Sequence, residues 1–361
     1  MNKKFFYSKR FLIFFLIFLA AAGGLWYRFF YLTSPARSIE RIVYAGQQQD
    51  TNTVQALVDI PAVSEQGYDG LSRHNFAKYN AKEFSDNPFI AFMKYSMKTA
   101  FLPSIERTLL SLAAPESEAQ KGETKALTHQ LWQFDPYFTF TEWRYKEVQH
   151  IETHDRQATV TVLLHNTWLD ADVRLPLSME QIDSFTWKVS GIADMELFLQ
   201  DLDMGARSKL AAINRPIQTE IDHIVSVKSV SLPAVEEDPQ HQNDHLIKEA
   251  PPLRLLKVPY ELQLHTANTP IKSMYAVYEL TDSTKKIVFS GSFVLHALPD
   301  KDGTLPSTAQ FLLSPIFASH KALMETADFS SYTGSIHIQK LELKNGTILE
   351  LEQNIPLPSS L

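Results

Sequence analysis

Residues 158–177, ATVTVLLHNTWLDADVRLPL, hold the pattern on which the fold turns. Ala158, Val160, Val162 and Leu164 recur at every second position, and a period of two sets side chains on one face of a strand. Asp170 to Leu177 predicts the next strand. Upstream, Phe138, Phe140, Glu142 and Arg144 alternate with Tyr137, Thr139, Thr141, Trp143 and Tyr145, a strand reaching about His150. The polar run Glu152 to Arg156 then supplies a hairpin turn. Downstream, Phe185 to Ile192 adds a further strand, and Asp194 opens a closing helix that runs to about Leu210.

Helices precede this meander. Ser34-Pro35 combines an N-cap with a helix-initiating proline, Ile39, Ile42 and Val43 follow at helical spacing, and Gly46 ends the segment. A second short helix is capped near Asp50 or Thr51, buries Val54, Leu57 and Val58, and stops at Pro61. Residues 67–87 are polar and rich in Gly, Asp and Asn, and read as loop or frayed helix. Asn87-Pro88 begins a long segment in which Phe89, Phe92, Met93, Met97, Ala100 and Phe101 fall at three- and four-residue steps, resuming after Pro103. Such a helix lines a core or lies on a membrane surface with Lys94 and Lys98 opposite. Residues 115–124 are loop-like, and 126–134 predict one more helical stretch. Helices followed by an antiparallel meander define an α+β domain over 34–213.

A second domain over 217–361 reads differently. Ile221 to Leu232 predicts a strand, and 233–252 is an acidic, Pro- and His-rich stretch expected to be a mobile excursion. Beyond it only strands are predicted: Leu253–Thr266, Ser273–Leu280, Lys286–Leu298, Gln310–Leu313, Gly334–Leu343 and Thr347–Glu352. Asn345-Gly346 suits a type I′ hairpin turn, since both residues accept a positive φ. Short strands with turn signals between them fit a β-sandwich.

The chain opens on Lys3, Lys4, Lys9 and Arg10, a basic tail over 1–10, followed by the apolar stretch 11–32. A membrane-spanning helix needs about 20 apolar residues, and Arg28 near one end can snorkel. Trp26, Tyr27, Phe29, Phe30 and Tyr31 form an interfacial belt at the distal end. The basic excess before the stretch keeps the N-terminus cytoplasmic and sends the bulk of the chain across, although Arg28, Arg37 and Arg41 oppose that asymmetry. The alternative is a cleavable signal with its cut near Ala22, giving a secreted protein.

A net charge of −7 argues against nucleic-acid binding, which needs a basic surface to replace phosphate counterions. Without cysteine the chain has no disulfides, thiolate nucleophile or cysteine-held metal. An extracytoplasmic protein lacking disulfides points to a bacterial source.

Ser34-Pro35 after an anchor, Gln49-Asp50, Val58-Asp59-Ile60, Asn87-Pro88-Phe89 and Trp187-Lys188-Val189 resemble the motifs of an uncharacterised bacterial family of single-pass envelope proteins. The resemblance covers about residues 34–200. The order of helices then meander is similar to the cystatin-like cone of the nuclear-transport-factor-two superfamily, which serves enzymes and non-catalytic binding modules alike. YELQLHTAN, IKSMYAVYELTD and VFSG resemble immunoglobulin-like modules of bacterial envelope proteins. Neither resemblance supplies catalytic residues, and the appended sandwich departs from the simpler members of the first family.

Motifs for chemistry are sparse. His150-Ile151-Glu152-Thr153-His154 sets the acid one place too late for a metalloprotease helix and falls in the predicted turn. His241 and His245 share that spacing within the acidic excursion, a composition suited at most to a weak metal grip. Ser283-Thr284-Lys285-Lys286 contains the Ser-x-x-Lys spacing without its partner motifs, and Asp300-Lys301-Asp302-Gly303 is too short for a calcium loop. No nucleophile elbow, P-loop or dinucleotide fingerprint occurs. A His–Asp pair at the mouth of the cone would support acid–base chemistry, for which His165, Asp135, Asp170 and Asp172 are the candidates, with Trp143 and Tyr145 as wall residues.

The sequence therefore predicts an anchored, extracytoplasmic, non-catalytic protein without cofactor or metal. It would partner the bilayer through 11–32 and bind an envelope protein or a small apolar ligand. A hydrolase or isomerase using the cone, and a structural spacer, are the competing readings.

Overall fold

The computed structural model describes residues 18–19, 24, 27, 31–78, 88–111, 143–237, 254–265, 269–296, 298–299, 301–315 and 317–356. It is an α+β chain whose sheets are built of antiparallel strands. Two compact units divide it, Met1–Lys209 with Pro356–Leu361, and Leu210–Ile355. Among the described residues no helix is long and apolar enough to cross a membrane. The stretch 11–32 falls almost wholly outside them, as do Asp135, 126–134, 137–142 and 238–253.

The first unit is built on the meander β1 (Trp143–His154), β2 (Gln157–Asn166), β3 (Ala171–Asp183) and β4 (Thr186–Ile192), paired in that order. Ala158, Val160 and Val162 share one core with Met179, Trp187 and Val189, and helix α1 (Pro35–Gln47) lays Ile39 into it. Ser34 caps α1 by accepting from Ala36 N at 3.2 Å. Trp187 ties helix to sheet, its amide donating to Ser38 Oγ at 3.0 Å and its indole to Thr33 O at 2.7 Å. Strand β1 continues past the expected end at His150, so the turn shrinks to Asp155 and Arg156, with Asp155 at φ 54°. A polar edge strand carries the same residue types as a turn, which hid the last turn-free residues.

Helix α2 (Thr51–Leu57) starts at Asp50, whose carboxylate accepts from Thr53 N. Pro61 does not stop it; Val58 already has extended geometry, and Asp59 N donates to Val189 O at 2.8 Å. Pro61 instead sits in the first turn of α3 (Ile60–Lys78), where a missing N–H costs nothing and Asp59 accepts from Ala62 N. The segment from residue 67, read as loop or frayed helix, is thus helical as far as Lys78. A Cβ at Gly70 would lie 2.2 Å from Met195 Cγ, so its glycine serves close packing. Helix α4 (Pro88–Ser111) runs through Pro103, and Lys98 binds Glu65 and Asp69 of α3 at 2.8 and 2.9 Å. Phe92 and Tyr95 are exposed while Ile105 is buried, so the apolar row does not form a single core face.

Helix α5 (Met195–Ile224) corrects the expected end near Leu210 and the strand expected from Ile221. The division between units falls inside it. Ile217, Ile221 and Ile224 are four and three apart, a helical spacing, and they pack against the second unit's core. Pro216 within the helix imitates a boundary. Asn214 clamps Glu352, accepting from its N–H at 2.8 Å and donating to its carbonyl at 2.9 Å.

The second unit pairs β10 (Gly303–Leu313), β7 (Arg254–Leu264) and β5 (Val225–Val230) in one sheet, with β6 (Ala234–Glu237) also on β7. Its other sheet runs β12 (Ile348–Glu350), β11 (Thr333–Leu343), β8 (Ile271–Thr281), β9 (Ile287–His296). Leu256, Val258 and Leu262 share a core with Met274, Tyr278 and Leu341, and Tyr278 stacks on Phe311 at 5.6 Å. Residues 234–237 of the expected excursion are strand. Strand β10 begins well before Gln310, because a sheet-edge strand tolerates Pro306. Helix α6 (Ala318–Glu325) interrupts the all-strand expectation; no side chain caps its start, so no sequence signal marked it. At Asn345-Gly346 only Gly346 has a positive φ, 89°. Gly346 N bonds Leu343 O and Leu343 N bonds Thr347 O, which is a type I turn with a bulge glycine rather than type I′.

Candidate functional site

His165 and Asp172 face each other across the β2–β3 ladder, with Arg144 opposite His165 on the β1 side. Residues opposite one another in antiparallel strands project from the same face. His165 Nδ1–H donates to Asp172 Oδ1 at 2.9 Å, and Lys146 Nζ donates to Oδ2 of the same carboxylate at 2.8 Å. Lys146 reaches it because the β1 register skips between Tyr145 and Glu147, and a bulge re-aims the extra side chain. Asp170 Oδ1 lies 3.8 Å from His165 Nε2, too far for a hydrogen bond. Asp170 adopts φ 53° in a turn pinned by buried Asn166, whose Oδ1 accepts from Leu169 N at 2.9 Å.

Three candidates, His165, Asp170 and Asp172, are therefore brought together. Their side chains are 29%, 80% and 44% exposed. Lys146 and then His165, hydrogen-bonded to Asp172, hold its carboxyl below the usual carboxylate range. Tyr145 and Trp143 do not join them. Tyr145 pairs with Leu164, one place from His165, so it faces the core, and burial raises its phenol. Trp143 packs on Phe198 at 5.8 Å. Asp135 lies outside the described residues.

Lys146 escaped the sequence reading because a bulge has no local signature in one strand. So did a bidentate ion pair of this face. Arg174 forks onto Asp201 of α5 with two contacts of 2.7 Å, and its own N–H adds a third at 3.0 Å. Asp201 is only 6% exposed, and the guanidinium bonded to it lowers its carboxyl. His74 and Asp203 make a further pair at 3.1 Å.

The other motifs fall into ordinary local structure. His150, Glu152 and His154 lie on β1 rather than in a turn, and His150 Nε2 contacts Glu152 at 3.0 Å. Among the described residues no group of three His, Cys, Asp or Glu side chains is placed so that it could hold a metal ion. His241 and His245 fall outside them. Ser283 sits in a turn closed by Asp282, which accepts from Thr284 N at 2.8 Å, with Lys285 at φ 64°. An open cleft of about 420 Å³ lies elsewhere in the first unit, along α1.

The geometry defines an α+β chain of two antiparallel-sheet units with a solvent-facing His–Asp–Lys cluster. No family model, curated protein or solved structure matches it.

Proposed function

We propose that this is a non-catalytic binding or interaction protein of the bacterial envelope, anchored by 11–32 with the bulk of its chain outside the cytoplasm. On this reading the first unit is a cystatin-like module and the second an immunoglobulin-like β-sandwich. The supporting observation is the state of Asp172. Both carboxylate oxygens are already engaged, by Lys146 and His165, on an exposed sheet face. A general base works beside an enclosed substrate, whereas here the carboxylate that would orient His165 is shared with Lys146 and is open to solvent.

The test joins placement to chemistry. Protease added to intact spheroplasts digests the chain beyond residue 34; protection of those residues would sink the extracytoplasmic reading. A deletion strain regains its phenotype equally with wild type and with a His165→Ala, Asp172→Asn chain of unchanged circular dichroism. Rescue by wild type alone would favour the second reading, a hydrolase or isomerase. That alternative draws its support from the His165–Asp172 contact, in which a carboxylate orients an imidazole as general bases require.

A further inference from the structure

Helix α1 shows the core Ile39 and Ser38, and a different face to the open cleft. Arg37, Arg41 and Tyr44 follow one another at four- and three-residue steps, so they form one stripe along that cleft. Tyr31 and Tyr27, stacked at 5.2 Å, supply its aromatic wall. Arg37 lies 5.9 Å from the centroid of the Tyr31 ring, and the Tyr31 hydroxyl donates to Glu40. The helix thus holds two guanidinium groups one turn apart beside phenol rings, with Glu40 tethered to Tyr31.

Two observations say what this cleft takes. Tyr27 and Tyr31 belong to the apolar stretch 11–32, so the cleft opens where that stretch ends. On the anchored reading, Arg37 and Arg41 stand on the far side of the bilayer, against the usual placement of basic residues; the two acids that line the same cleft, Glu40 and Asp50, already accept from Tyr31 and from Thr53. Guanidinium groups match phosphate oxygens in pairs, and tyrosines sit at headgroup depth.

We infer that the cleft lined in part by Tyr27, Tyr31, Arg37, Glu40, Arg41, Tyr44 and Asp50 binds the phosphodiester headgroup of a membrane phospholipid. Arg37 and Arg41 take the phosphate oxygens, and the tyrosines border the glycerol and upper acyl region. The headgroup then fixes how the first unit meets the bilayer. This rests on the anchored reading of 11–32.

The experiment uses the full chain in phosphatidylglycerol–phosphatidylethanolamine vesicles, with a photoreactive phenylalanine analogue at Tyr44 and, as control, at Gln157. Phospholipid is captured at 44 and not at 157, and Arg37→Gln with Arg41→Gln lowers the yield about tenfold, the scale of lost charge-assisted hydrogen bonds. Retention after carbonate extraction is unchanged by those substitutions. Retention without lipid capture, or capture indifferent to both arginines, overturns the cleft and leaves the anchor standing. Full suppression of capture by inorganic phosphate shows a free-anion site and overturns the lipid assignment. Release of the wild-type chain by carbonate overturns the anchor, and the inference with it.

Discussion

At the scale of single residues, buried polar groups separate those that stabilise the fold from those it merely tolerates. Tyr278 lies in the core of the second unit with its hydroxyl lacking a hydrogen-bond partner among the described residues, and burial pushes that phenol up to about 12. A buried donor without an acceptor loses its hydration for nothing. Tyr278→Phe keeps the stacking on Phe311 and should raise stability by about 1 kcal/mol in urea denaturation. A lowered midpoint would mean that the hydroxyl has a use inside the core. Asp201 is the contrary case. Removing it strands part of Arg174, whose 43% exposure lets water recover some of the cost, so Asp201→Ala should lose about 2–3 kcal/mol. Its carboxyl titrates below the ordinary range in the folded chain, so its contribution is complete above that range and fades as pH falls toward the folded value. Wild type and variant should therefore converge below about pH 4. A constant gap across that range would remove the charge from the explanation.

Among elements, legibility follows whether a signal is local. Strands β2 and β4 and the cap of α1 were plain, because alternation and Ser34-Pro35 act within a few residues. His165 and Asp172 were likewise legible as candidates, lying on adjacent predicted strands. Their contact with each other, and with Lys146, depends on register and a bulge, which no strand encodes alone. Pro61 misled, because proline suits a helix's first turn as well as its end. Helix α6 was invisible for want of a cap, and its attachment is testable. His320 Nδ1 accepts from Ser314 N at 3.1 Å, and its ring packs on Phe289 and Phe317 at 5.5 and 5.2 Å. Burial lowers its pKa, and protonation at Nδ1 would remove the acceptor. Stability linked to His320 is then complete above the ordinary histidine value, about 6.5, and is lost as pH falls below it. His320→Gln should cost about 1 kcal/mol at neutral pH and flatten that slope. An unchanged slope in denaturation midpoints between neutral and mildly acidic buffer would refute it.

For the whole molecule, the informative fact is that each unit keeps a core of its own. Leu262 is fully buried in the second, and Leu262→Ala should cost about 2–5 kcal/mol there. Hydrogen exchange should quicken in β7 and β8 while the amides of β2 and β3 keep their protection; equal loss in both would mean one cooperative whole. The boundary itself carries a practical lesson for anyone dissecting the gene. Trimming at Ile217, where the sequence places the start of the second domain, rather than at Leu210 would discard Asn214 and both of its bonds to Glu352. The excised piece would then have the segment that follows its last strand unlatched, and its frailty would be the fault of the scissors rather than of the fold.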